Sequence, residues 1–518
     1  MTRATDATPS SQHTLRPALL PDDVDDQRLL AQVHPASWTN PTPKGRYHLV
    51  VIGAGTGGLV TAAAAAGLGA RVALIERQLM GGDCLNVGCV PSKAVIRAAR
   101  AWREARDGQE RFGGPDAHGD GNFGAVMARM RRLRADLSPI DGAPRFRDLG
   151  IDVFLGDARF VAVDAVEVGG QRLNFRKAVI ATGARATVPQ IPGLAETPFY
   201  TNESIFTLTA RPAHLVVLGA GPIGCELAQA FARLGTRVTL LNRGAQLMPR
   251  EDADAAAVLQ AALTRDGVVI HHDVAVTHAS ALGAETTLTY RQAGHDSSIT
   301  CDALLVAIGR TPNVHGLQLE QAEVRFDARS GVTVDDRLRT SNSRIYAVGD
   351  VCSSQQFTHS ADFQARLVVQ NALFFGRGKA SALVTPRVTY TSPEVASIGL
   401  TESEAASQQI PVDVVTVPMH EVDRARLDDE TEGFCRFVLA RGTDRIVGAT
   451  IVAEHAGENV GEVALAMTAK LGLSAIGRTM HPYPTQGEML RKAADMWRRR
   501  KLTPTVKALF GWYFRLLG

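Results

Sequence analysis

A glycine pattern that occurs twice, each time with the same surroundings, is the strongest constraint on the fold of this 518-residue chain. Residues 48–76 and residues 214–242 each read as an apolar strand, a G-x-G-x-x-G turn, a helix-forming stretch and a second apolar strand. This order is that of a βαβ unit. Two such units predict an α/β fold with two Rossmann-like dinucleotide-binding domains.

Each glycine of the pattern has its own physical reason. The first makes the tight turn, the second lets a pyrophosphate approach the backbone, and the third lets the helix pack on the strand. The helix N-terminus then offers N–H groups and the positive end of its dipole to the phosphates. The predicted cofactor-binding glycines are Gly53, Gly55 and Gly58 in the first unit and Gly219, Gly221 and Gly224 in the second.

The residue that ends the second strand of each unit distinguishes the two cofactors. Glu76 can accept hydrogen bonds from a ribose 2′-hydroxyl, which suits the adenosine of FAD. The corresponding position in the second unit is Asn242, followed by Arg243, which can pair with a 2′-phosphate. The sequence therefore favours NADPH over NADH as the second cofactor. The alternative for Arg243 is a solvated loop charge.

Three further strand ends carry residues suited to a cofactor. Thr182 and Gly183 follow one predicted strand and Gly309 follows another, at places where the chain leaves a nucleotide domain. Asp350 ends a third strand, where a carboxylate can bind a sugar-like hydroxyl in an α/β crevice.

Cys84 and Cys89 lie five residues apart, directly after the first βαβ unit and before an apolar, helix-forming run. A C-x-x-x-x-C segment at a helix start permits a bond between the two sulfurs, and the helix dipole and Lys93 favour a thiolate. The alternatives are a structural disulfide and a zinc site, for which the sequence has no second Cys/His cluster at finger spacing. We predict no metal site. The other four cysteines are predicted to be small apolar core residues: Cys225, Cys301, Cys352 and Cys435.

Composition limits what else the chain can do. Its length predicts about three domains. The net charge of +3 is too small to indicate nucleic-acid binding, and 6% aromatic residues offer little for base stacking. No apolar run is long enough to span a membrane, and residues 1–45 lack the apolar core of a signal peptide. We expect a cytoplasmic protein whose residues 1–45 form a loose arm with one short helix at residues 25–33.

Together these motifs resemble the FAD-dependent pyridine nucleotide–disulfide oxidoreductases, over residues 46–490. Residues 81–93, with the cysteine pair, are the most specific part of the resemblance, and residues 390–401 are similar to the start of the family's dimerisation domain. Gly82-Asp83-Cys84 and Phe357-Thr358-His359 resemble the mercuric-reductase-like members.

The resemblance implies a C-terminal α+β dimerisation domain and a homodimer whose active site is shared between two subunits. The implied domains are an N-terminal extension (1–45), an FAD-binding domain in two segments (46–190 and 310–383), an NAD(P)-binding domain (191–309), the dimerisation domain (384–495) and a basic, aromatic tail (496–518).

The resemblance also implies roles for single residues. Cys89 is the charge-transfer thiolate over the flavin, and Cys84 is the interchange thiol that faces the substrate. Lys93, paired with Glu226, lies near the flavin. The further residues that the resemblance assigns to cofactor binding are Gly82, Asp350 (on the ribityl chain of FAD) and His359.

One position departs from the disulfide reductases of this family, which carry a catalytic His directly before Pro-Thr and a Glu five residues after it. Tyr483 occupies that His position, and Glu488 is in register. A phenol with a pKa of about 10 is a poor base near pH 7, which argues against dihydrolipoamide or glutathione as substrate. His481 is an alternative base if the local backbone differs. Tyr483 and Glu488 are retained as catalytic-site residues that each subunit supplies to its partner.

We therefore predict an FAD-containing, NAD(P)H-dependent oxidoreductase that passes electrons through Cys84 and Cys89 to a thiol-reactive acceptor, with Hg(II) as a candidate. The alternatives are an electron donor to a quinone or a protein, a dihydrolipoamide dehydrogenase-like disulfide reductase, and a non-catalytic nucleotide-binding sensor. Mercuric reductases normally carry a C-terminal cysteine pair that hands over Hg(II), whereas this sequence has no cysteine after Cys435.

The tail, residues 496–518, combines basic and aromatic residues. This combination is typical of an interfacial helix on a membrane, and equally of a C-terminal helix that packs on the dimer with its arginines in solvent. We expect the second arrangement and keep peripheral membrane contact as the alternative.

Overall fold

The computed structural model of the chain describes residues 19–119, 121–283 and 285–518. Predictions for residues 1–18, the first part of the N-terminal extension, lie outside the described residues.

The α-helices of the described residues range from one turn to more than six turns. They are α1 (Val24–Val33), α2 (Thr56–Gly67), α3 (Gly82–Asn86), α4 (Cys89–Phe112), α5 (Phe123–Asp141), α6 (Ala143–Asp148), α7 (Pro222–Arg233), α8 (Ala253–Arg265), α9 (Thr358–Leu373), α10 (Glu402–Ser407), α11 (Asp423–Leu427), α12 (Ala456–Thr468), α13 (Leu473–Ile476), α14 (Glu488–Arg500) and α15 (Pro504–Leu516).

The β-strands of the described residues are mostly short. They are β1 (Arg46–Ile52), β2 (Val72–Glu76), β3 (Asp152–Leu155), β4 (Ala158–Ala162), β5 (Ala165–Val168), β6 (Gln171–Ile180), β7 (Ala184–Ala186), β8 (His214–Leu218), β9 (Arg237–Leu241), β10 (Val268–His271), β11 (Ala275–Leu282), β12 (Glu285–Gln292), β13 (His295–Cys301), β14 (Ala303–Val306), β15 (Arg310–Pro312), β16 (Phe326–Asp327), β17 (Gly331–Val332), β18 (Ile345–Ala347), β19 (Arg387–Thr389), β20 (Glu394–Gly399), β21 (Val412–Pro418), β22 (Phe434–Ala440) and β23 (Ile446–Ala453).

The chain divides into two compact units, each built from three segments of sequence. The first unit comprises Met1–Asn86, Arg131–Ala184 and Pro312–Gly378. The second comprises Val87–Met130, Arg185–Thr311 and Lys379–Gly518. The domain boundaries expected from the sequence stay predictions.

The first unit is built on one sheet with the strand order β3-β2-β1-β6-β5-β4, in which β18 also pairs with β6. Strands β3, β2, β1, β6 and β18 are parallel, as the βαβ pattern requires, and β4 and β5 join antiparallel. Strand β1 is apolar because both of its faces are covered, and residues 49–52 are fully or almost fully buried. The carboxyl ends of β1, β2 and β18 therefore lie at one edge of this sheet.

The helix α1 belongs to the first unit and is packed, so the prediction of a loose arm is wrong for its residues. Leu29, Leu30 and Val33 are buried, and so is the carboxylate of Asp26. The predicted short helix at residues 25–33 is confirmed, and Asp23 caps it by accepting hydrogen bonds from the N–H groups of its first turn. The sequence of α1 alone could not show what it packs against, because its ionic partners lie more than a hundred residues later.

The second unit contains a parallel four-stranded sheet in the order β10-β9-β8-β14 and an antiparallel sheet, β11-β12-β13. Helix α7 follows β8 and packs against α4. The sequence predicted only an apolar helical run after the cysteines. The observed α4 continues to Phe112 and ends at Gly113, whose φ of +67° is that of a left-handed cap.

A five-stranded antiparallel sheet in the order β19-β20-β23-β22-β21 completes the second unit. Helices α12 and α14 cover it, and their apolar residues join the buried face of the sheet in one core that includes Phe437, Leu490 and Trp497. Helix α15 follows α14 and has no buried residue. No helix among the described residues is both long enough and apolar enough to cross a bilayer. The two parallel sheets and this α+β portion confirm the predicted fold class.

Candidate active site and nucleotide sites

The two glycine turns have nearly the same backbone. The φ angle is +100° at Gly53 and +111° at Gly219, in the region where only glycine is unstrained. A Cβ atom at Gly53 would lie 2.4 Å from the carbonyl oxygen of Ala181, and one at Gly219 would lie 2.5 Å from that of Ala307. Each turn therefore needs glycine both for its conformation and for its contact with the neighbouring chain.

The other glycines of the turns differ in what surrounds them. A Cβ at Gly58 or Gly224 would lie within 2.0 Å of the carbonyl oxygen of the first glycine, so helix packing excludes a side chain. A Cβ at Gly221 would meet nothing within 4 Å, and one at Gly55 only the Cα of Gly82 at 3.7 Å. Because the packing of the protein tolerates a side chain at Gly55 and Gly221, their bare backbone is explained by a ligand that approaches it.

The helices that follow these turns begin without side-chain caps. Gly55 is the N-cap of α2 and Gly221 that of α7, and neither cap provides a side-chain hydrogen bond. The first N–H groups of both helices therefore remain available, and the dipoles add positive potential. This arrangement fits the pyrophosphate groups of two dinucleotides.

Glu76 lies at the end of β2 and is buried. Its Oε2 accepts a hydrogen bond from the Ala54 N–H at 2.7 Å, and its Oε1 accepts one from the Gln78 N–H at 2.8 Å. Burial raises the pKa of Glu76, and the two N–H donors oppose that effect. Each oxygen keeps a further acceptor position, which fits the ribose hydroxyls of FAD.

The residues at the other strand ends are held by backbone contacts. Thr182 donates its hydroxyl to the carbonyl oxygen of Asn313 at 2.8 Å, and the Asn313 N–H donates to the carbonyl of Gly183. In the second unit, Gly309 has a φ of +134° and accepts a hydrogen bond from the Thr187 N–H. A Cβ at Gly183 or Gly309 would meet no protein atom within 4 Å, so both face open space.

Asp350 and His359 both follow β18. Asp350 lies in a short 3-10 turn, Gly349–Val351, at the carboxyl end of this strand. His359 lies in the first turn of α9, is exposed, and stacks on Phe357 with ring centroids 5.4 Å apart.

Asn242 and Arg243 follow β9. The Asn242 amide is buried and donates to the carbonyl oxygens of Gly244 (2.8 Å) and Gln246 (2.9 Å), so it shapes the loop. Arg243 is exposed, and within the described part of the chain it has no carboxylate partner. An unpaired cation and a neutral residue therefore stand where NAD-binding domains place a carboxylate.

Cys84 and Cys89 lie on consecutive helices. Cys84 is half-buried within α3, and Cys89 is exposed and is the first residue of α4. No group of three or more His, Cys, Asp or Glu side chains in the described segments is arranged to hold a metal ion.

Lys93, one turn after Cys89, forms an ion pair with Glu226 of α7 at 2.8 Å. The second oxygen of Glu226 accepts the N–H of Tyr390 at 2.8 Å, and the Lys93 ammonium lies 4.5 Å from the centroid of the Tyr390 ring. Burial lowers the pKa of Lys93, but the Glu226 carboxylate and the Cys89 sulfur outweigh it, so the pKa is raised. The ammonium and the N-terminus of α4 both bring positive potential to Cys89, which stabilises a thiolate.

Tyr483 is exposed and donates its hydroxyl to a carboxylate oxygen of Asp423 at 3.2 Å. This hydrogen bond and the negative charge of Asp423 raise the pKa of Tyr483 above its usual value. At neutral pH the deprotonated form, which alone could act as a base, is therefore even scarcer than the sequence suggested.

His481 has both ring nitrogens engaged. Nδ1 faces the carbonyl oxygen of Thr479 at 3.0 Å, and Nε2 faces the carboxylate of Glu462 at 3.1 Å. Both neighbours are hydrogen-bond acceptors, so Thr479 and Glu462 fix the orientation of the ring.

Glu488 is the buried first residue of α14. Its carboxylate bonds to the Arg491 guanidinium at 2.7 Å and lies 3.8 Å from the Lys492 ammonium. One carboxylate oxygen of Glu488 thus faces two cations of its own helix, and the other is buried without a hydrogen-bond partner among the described residues.

Two protein-family models match the chain and identify its family. Residues 47–365 match the pyridine nucleotide-disulphide oxidoreductase model, and residues 385–494 match the dimerisation domain of the same family. The chain belongs to this family. It is therefore a flavin-dependent oxidoreductase, and it binds FAD and a nicotinamide cofactor, as predicted.

Several members of the pyridine nucleotide-disulphide oxidoreductases are similar over most of their length. Mercuric reductase of Staphylococcus aureus is 34% identical over 87% of this chain and 82% of the relative. Dihydrolipoyl dehydrogenase of Geobacillus stearothermophilus is 32% identical over 86% and 95%. The HOCl-induced flavoprotein disulfide reductase RclA of Escherichia coli has a TM-score of 0.78 at 30% identity, covering 87% and 99%; it has also been solved as a Cu(II) complex.

Family membership also bears on the assembly and the redox centre. The dimerisation domain supports the predicted homodimer. A redox-active disulfide is a property of the family, and no other cysteines of this chain lie in one short segment.

The remaining four cysteines have raised thiol pKa values. Burial raises the thiol pKa of Cys225 and Cys352 to about 12 and that of Cys301 to about 11. It also raises the pKa of Cys435. Cys225, Cys301 and Cys435 are buried, as predicted, whereas Cys352 is half-buried against the core of the first unit.

Two residues of the Lys93 cluster were not identified from the sequence. Tyr390 was recognised only as the start of the dimerisation segment. Gln229 holds the same segment by hydrogen bonds of 2.8 Å to the N–H and carbonyl groups of Ser392. The signal was present, because Glu226 and Gln229 are two polar residues three apart on the otherwise apolar helix α7.

Proposed function

We propose that this protein uses NADPH to reduce a thiol-reactive acceptor bound at Cys84 and Cys89, and that a soft metal ion such as Hg(II) is the first candidate. The observation that carries the proposal is the lack of a proton acceptor at the Tyr483 position. Reducing a disulfide substrate requires a base for the interchange thiol, whereas a soft metal ion bound by thiolates requires none.

The two nucleotide turns supply the cofactor sites of the proposal. The first turn, Glu76 and Asp350 hold FAD, and the second turn with Arg243 holds NADPH. When bound, FAD supplies the chemistry that carries electrons from the nicotinamide to the cysteine pair. The preference for NADPH rests on the unpaired Arg243 guanidinium and on the neutral, buried Asn242 beside it.

The cysteines have distinct roles. Cys89 lies at the N-terminus of α4 near Lys93 and acts as the thiolate on the flavin side. Cys84 is the thiol that meets the acceptor. Soft thiolate ligands select soft metal ions, so the reduced pair suits Hg(II) better than a hard cation. The net reaction consumes one NADPH and one Hg(II) and yields NADP⁺, a proton and Hg(0).

Two relatives support a thiophilic acceptor. The Staphylococcus aureus relative is a mercuric reductase, and the Escherichia coli relative is a disulfide reductase that has been solved with Cu(II). The dihydrolipoyl dehydrogenase relative supports the disulfide alternative. We favour the metal because the Tyr483 hydroxyl is bonded to Asp423 and both ring nitrogens of His481 already face acceptor groups.

The test is an anaerobic titration of the flavoprotein with NADPH, followed by separate additions of Hg(II), Cu(II), a disulfide and a quinone. We expect a long-wavelength absorbance band after two electrons, from a thiolate against the flavin, and turnover with a metal ion but not with the disulfide. Direct bleaching without that band, with turnover on quinone, would support an electron donor that bypasses the cysteines.

A pair of serine variants separates these outcomes. Cys84→Ser should lower metal-dependent turnover by at least about 100-fold while NADPH still reduces the flavin. Cys352→Ser is the matched control, because its thiol is held protonated by burial and should leave turnover unchanged. Full turnover in Cys84→Ser would exclude the proposed role of the pair.

A further inference from the structure

Helix α15 presents an apolar surface that nothing in its unit covers. None of its residues is buried. The large apolar side chains of the helix and the residue after it are between 48% and 65% exposed: Leu509, Phe510, Trp512, Tyr513, Phe514, Leu516 and Leu517. Single exposed apolar residues are ordinary, but a contiguous set on one helix marks an interaction surface.

The apolar side chains are segregated on the helix. With about 3.6 residues per turn, they cover roughly 200° of the circumference, and Lys507 and Arg515 lie together on the opposite side. Thr503 caps the helix by accepting a hydrogen bond from the Val506 N–H. The helix is therefore amphipathic, with a wide apolar face and a narrow basic face.

The charged side chains on and next to helix α15 are all positive. Residues 496–518 contain six cationic side chains and no Asp or Glu: Arg498, Arg499, Arg500, Lys501, Lys507 and Arg515. Arg498 is held by the carbonyl oxygen of Ser474, and Lys501 lies 3.7 Å from the centroid of the Trp497 ring. Arg499 and Arg500 are exposed at the end of α14.

We propose that α15 and the basic end of α14 dock this protein on an anionic lipid surface. The apolar face with Trp512 and Tyr513 enters the interface, and the cations pair with lipid phosphates. Charge favours an anionic bilayer over a second copy of the chain as the partner of this surface. A two-fold contact through the same surface would bring six cations against the same six, whereas an anionic bilayer neutralises them.

The position of the segment in the chain agrees with this choice. The match to the dimerisation domain ends at residue 494, so α15 and all six cations lie outside it. The proposal is independent of the electron acceptor, because it rests on residues 496–518 and on none of the cysteine or nucleotide-binding residues.

The test is flotation of the full-length flavoprotein with phosphatidylcholine vesicles, with and without phosphatidylglycerol. We expect at least about tenfold stronger binding to the anionic vesicles, weakened by high salt. Acyl chains brominated near the headgroup should quench Trp512, and the quenching should be absent in Trp512→Phe. Equal binding to both vesicle types, or no binding, would overturn the proposal.

Two variants make the test specific to this surface. Trp512→Ser/Phe514→Ser should lose at least about tenfold in vesicle binding, with its flavin content retained because neither residue is buried. Leu282→Ser/Phe375→Ser is the control, since it removes two apolar side chains elsewhere that are even more exposed. If the first variant instead splits the dimer and leaves vesicle binding unchanged, the helix is a subunit contact and the proposal fails.

Discussion

The hydroxyl of Tyr483 is committed to Asp423, and that contact determines what the side chain can do in a proton transfer. The hydrogen bond to Asp423 raises the pKa of the phenol. A raised pKa means that the bond is fully present below the ordinary tyrosine value of about 10 and is lost only as the pH rises through the folded-state value. Tyr483 should therefore stay protonated throughout the range in which enzymes of this kind work.

Replacing Tyr483 with Phe should leave the shape of the pH profile unchanged. We expect kcat/KM for a metal ion to change by less than about threefold between roughly pH 6 and 9, because no proton passes through this residue. His481→Asn is the companion variant, and it should lower stability through its lost contact with Glu462 without removing an ionisation from the profile. A loss of about 100-fold with a missing ionisation in either variant would identify a base.

Arg243 should determine which nicotinamide cofactor is used. In Arg243→Gln the KM for NADPH should rise about tenfold while kcat and the KM for NADH stay within about twofold, because only the 2′-phosphate contact is lost. The control is Arg172→Gln, which removes an exposed arginine from β6 of the first unit. An equal effect on both cofactors would show that Arg243 does not read the 2′-phosphate.

At the level of elements, hydrogen bonds through Arg134 connect α1 to the segment that carries Cys84. Arg134 donates to Asp26 of α1 at 2.5 Å and to the carbonyl oxygen of Asn86 at 2.9 Å, with all three residues buried. Asn86 in turn donates to the carbonyl of Gly82, so it closes the short helix α3 around Cys84. Helix α1 lies before the residues that match the family model, and it nevertheless supports the conformation of α3, which carries Cys84.

Arg134→Gln should loosen this segment. We expect a loss of about 3 kcal/mol in the free energy of unfolding, because Asp26 keeps a buried charge without its cation. Alkylation of Cys84 should become at least several-fold faster as α3 opens. Arg28→Gln is the control: Arg28 is exposed, so the free energy of unfolding should fall far less when its pairs with Asp25 and Asp136 are lost. Unchanged alkylation of Cys84 in Arg134→Gln would show that α1 acts only on stability.

The sequence predicted local order well and long-range contacts poorly. Both glycine turns, the strands β1, β8 and β14 and the pair of Lys93 with Glu226 were expected, because each follows from a short periodic pattern or a family motif. The packing of α1 within the first unit was not predicted, because its apolar face and its two acidic residues do not show which other segment it contacts. Tyr390 was missed as a member of the Lys93 cluster for the same reason: its N–H meets Glu226 only because the segment between β19 and β20 is hydrogen-bonded to α7.

At the level of the whole molecule, the residues predicted to bind FAD come from all three segments of the first unit. Glu76 lies in the first segment, Thr182 in the second and Asp350 in the third. A ligand that contacts all three adds a link between segments that are far apart in sequence. Its binding free energy is then added to the stability of the unit.

Removal of FAD should lower the unfolding midpoint, and adding it back should restore the midpoint. At free FAD about 100-fold above Kd the gain should be about 2.7 kcal/mol, and each further tenfold should add about 1.4 kcal/mol. FMN is the matched control, because it lacks the adenosine that Glu76 would bind and should stabilise far less. Midpoints measured by circular dichroism that do not depend on FAD would contradict the site.

The raised pKa values of the four other thiols affect how easily a soft metal ion or an oxidant can inactivate the protein. A protein that handles soft metals or oxidants can be poisoned through its own sulfur atoms. With pKa values of about 11 to 12, Cys225, Cys301 and Cys352 are almost wholly protonated in neutral solution, and Cys435 is fully enclosed. A thiol reagent should therefore react rapidly with two of the six cysteines in each native chain. The raised pKa values of the other four thiols should therefore direct such reagents to Cys84 and Cys89 first.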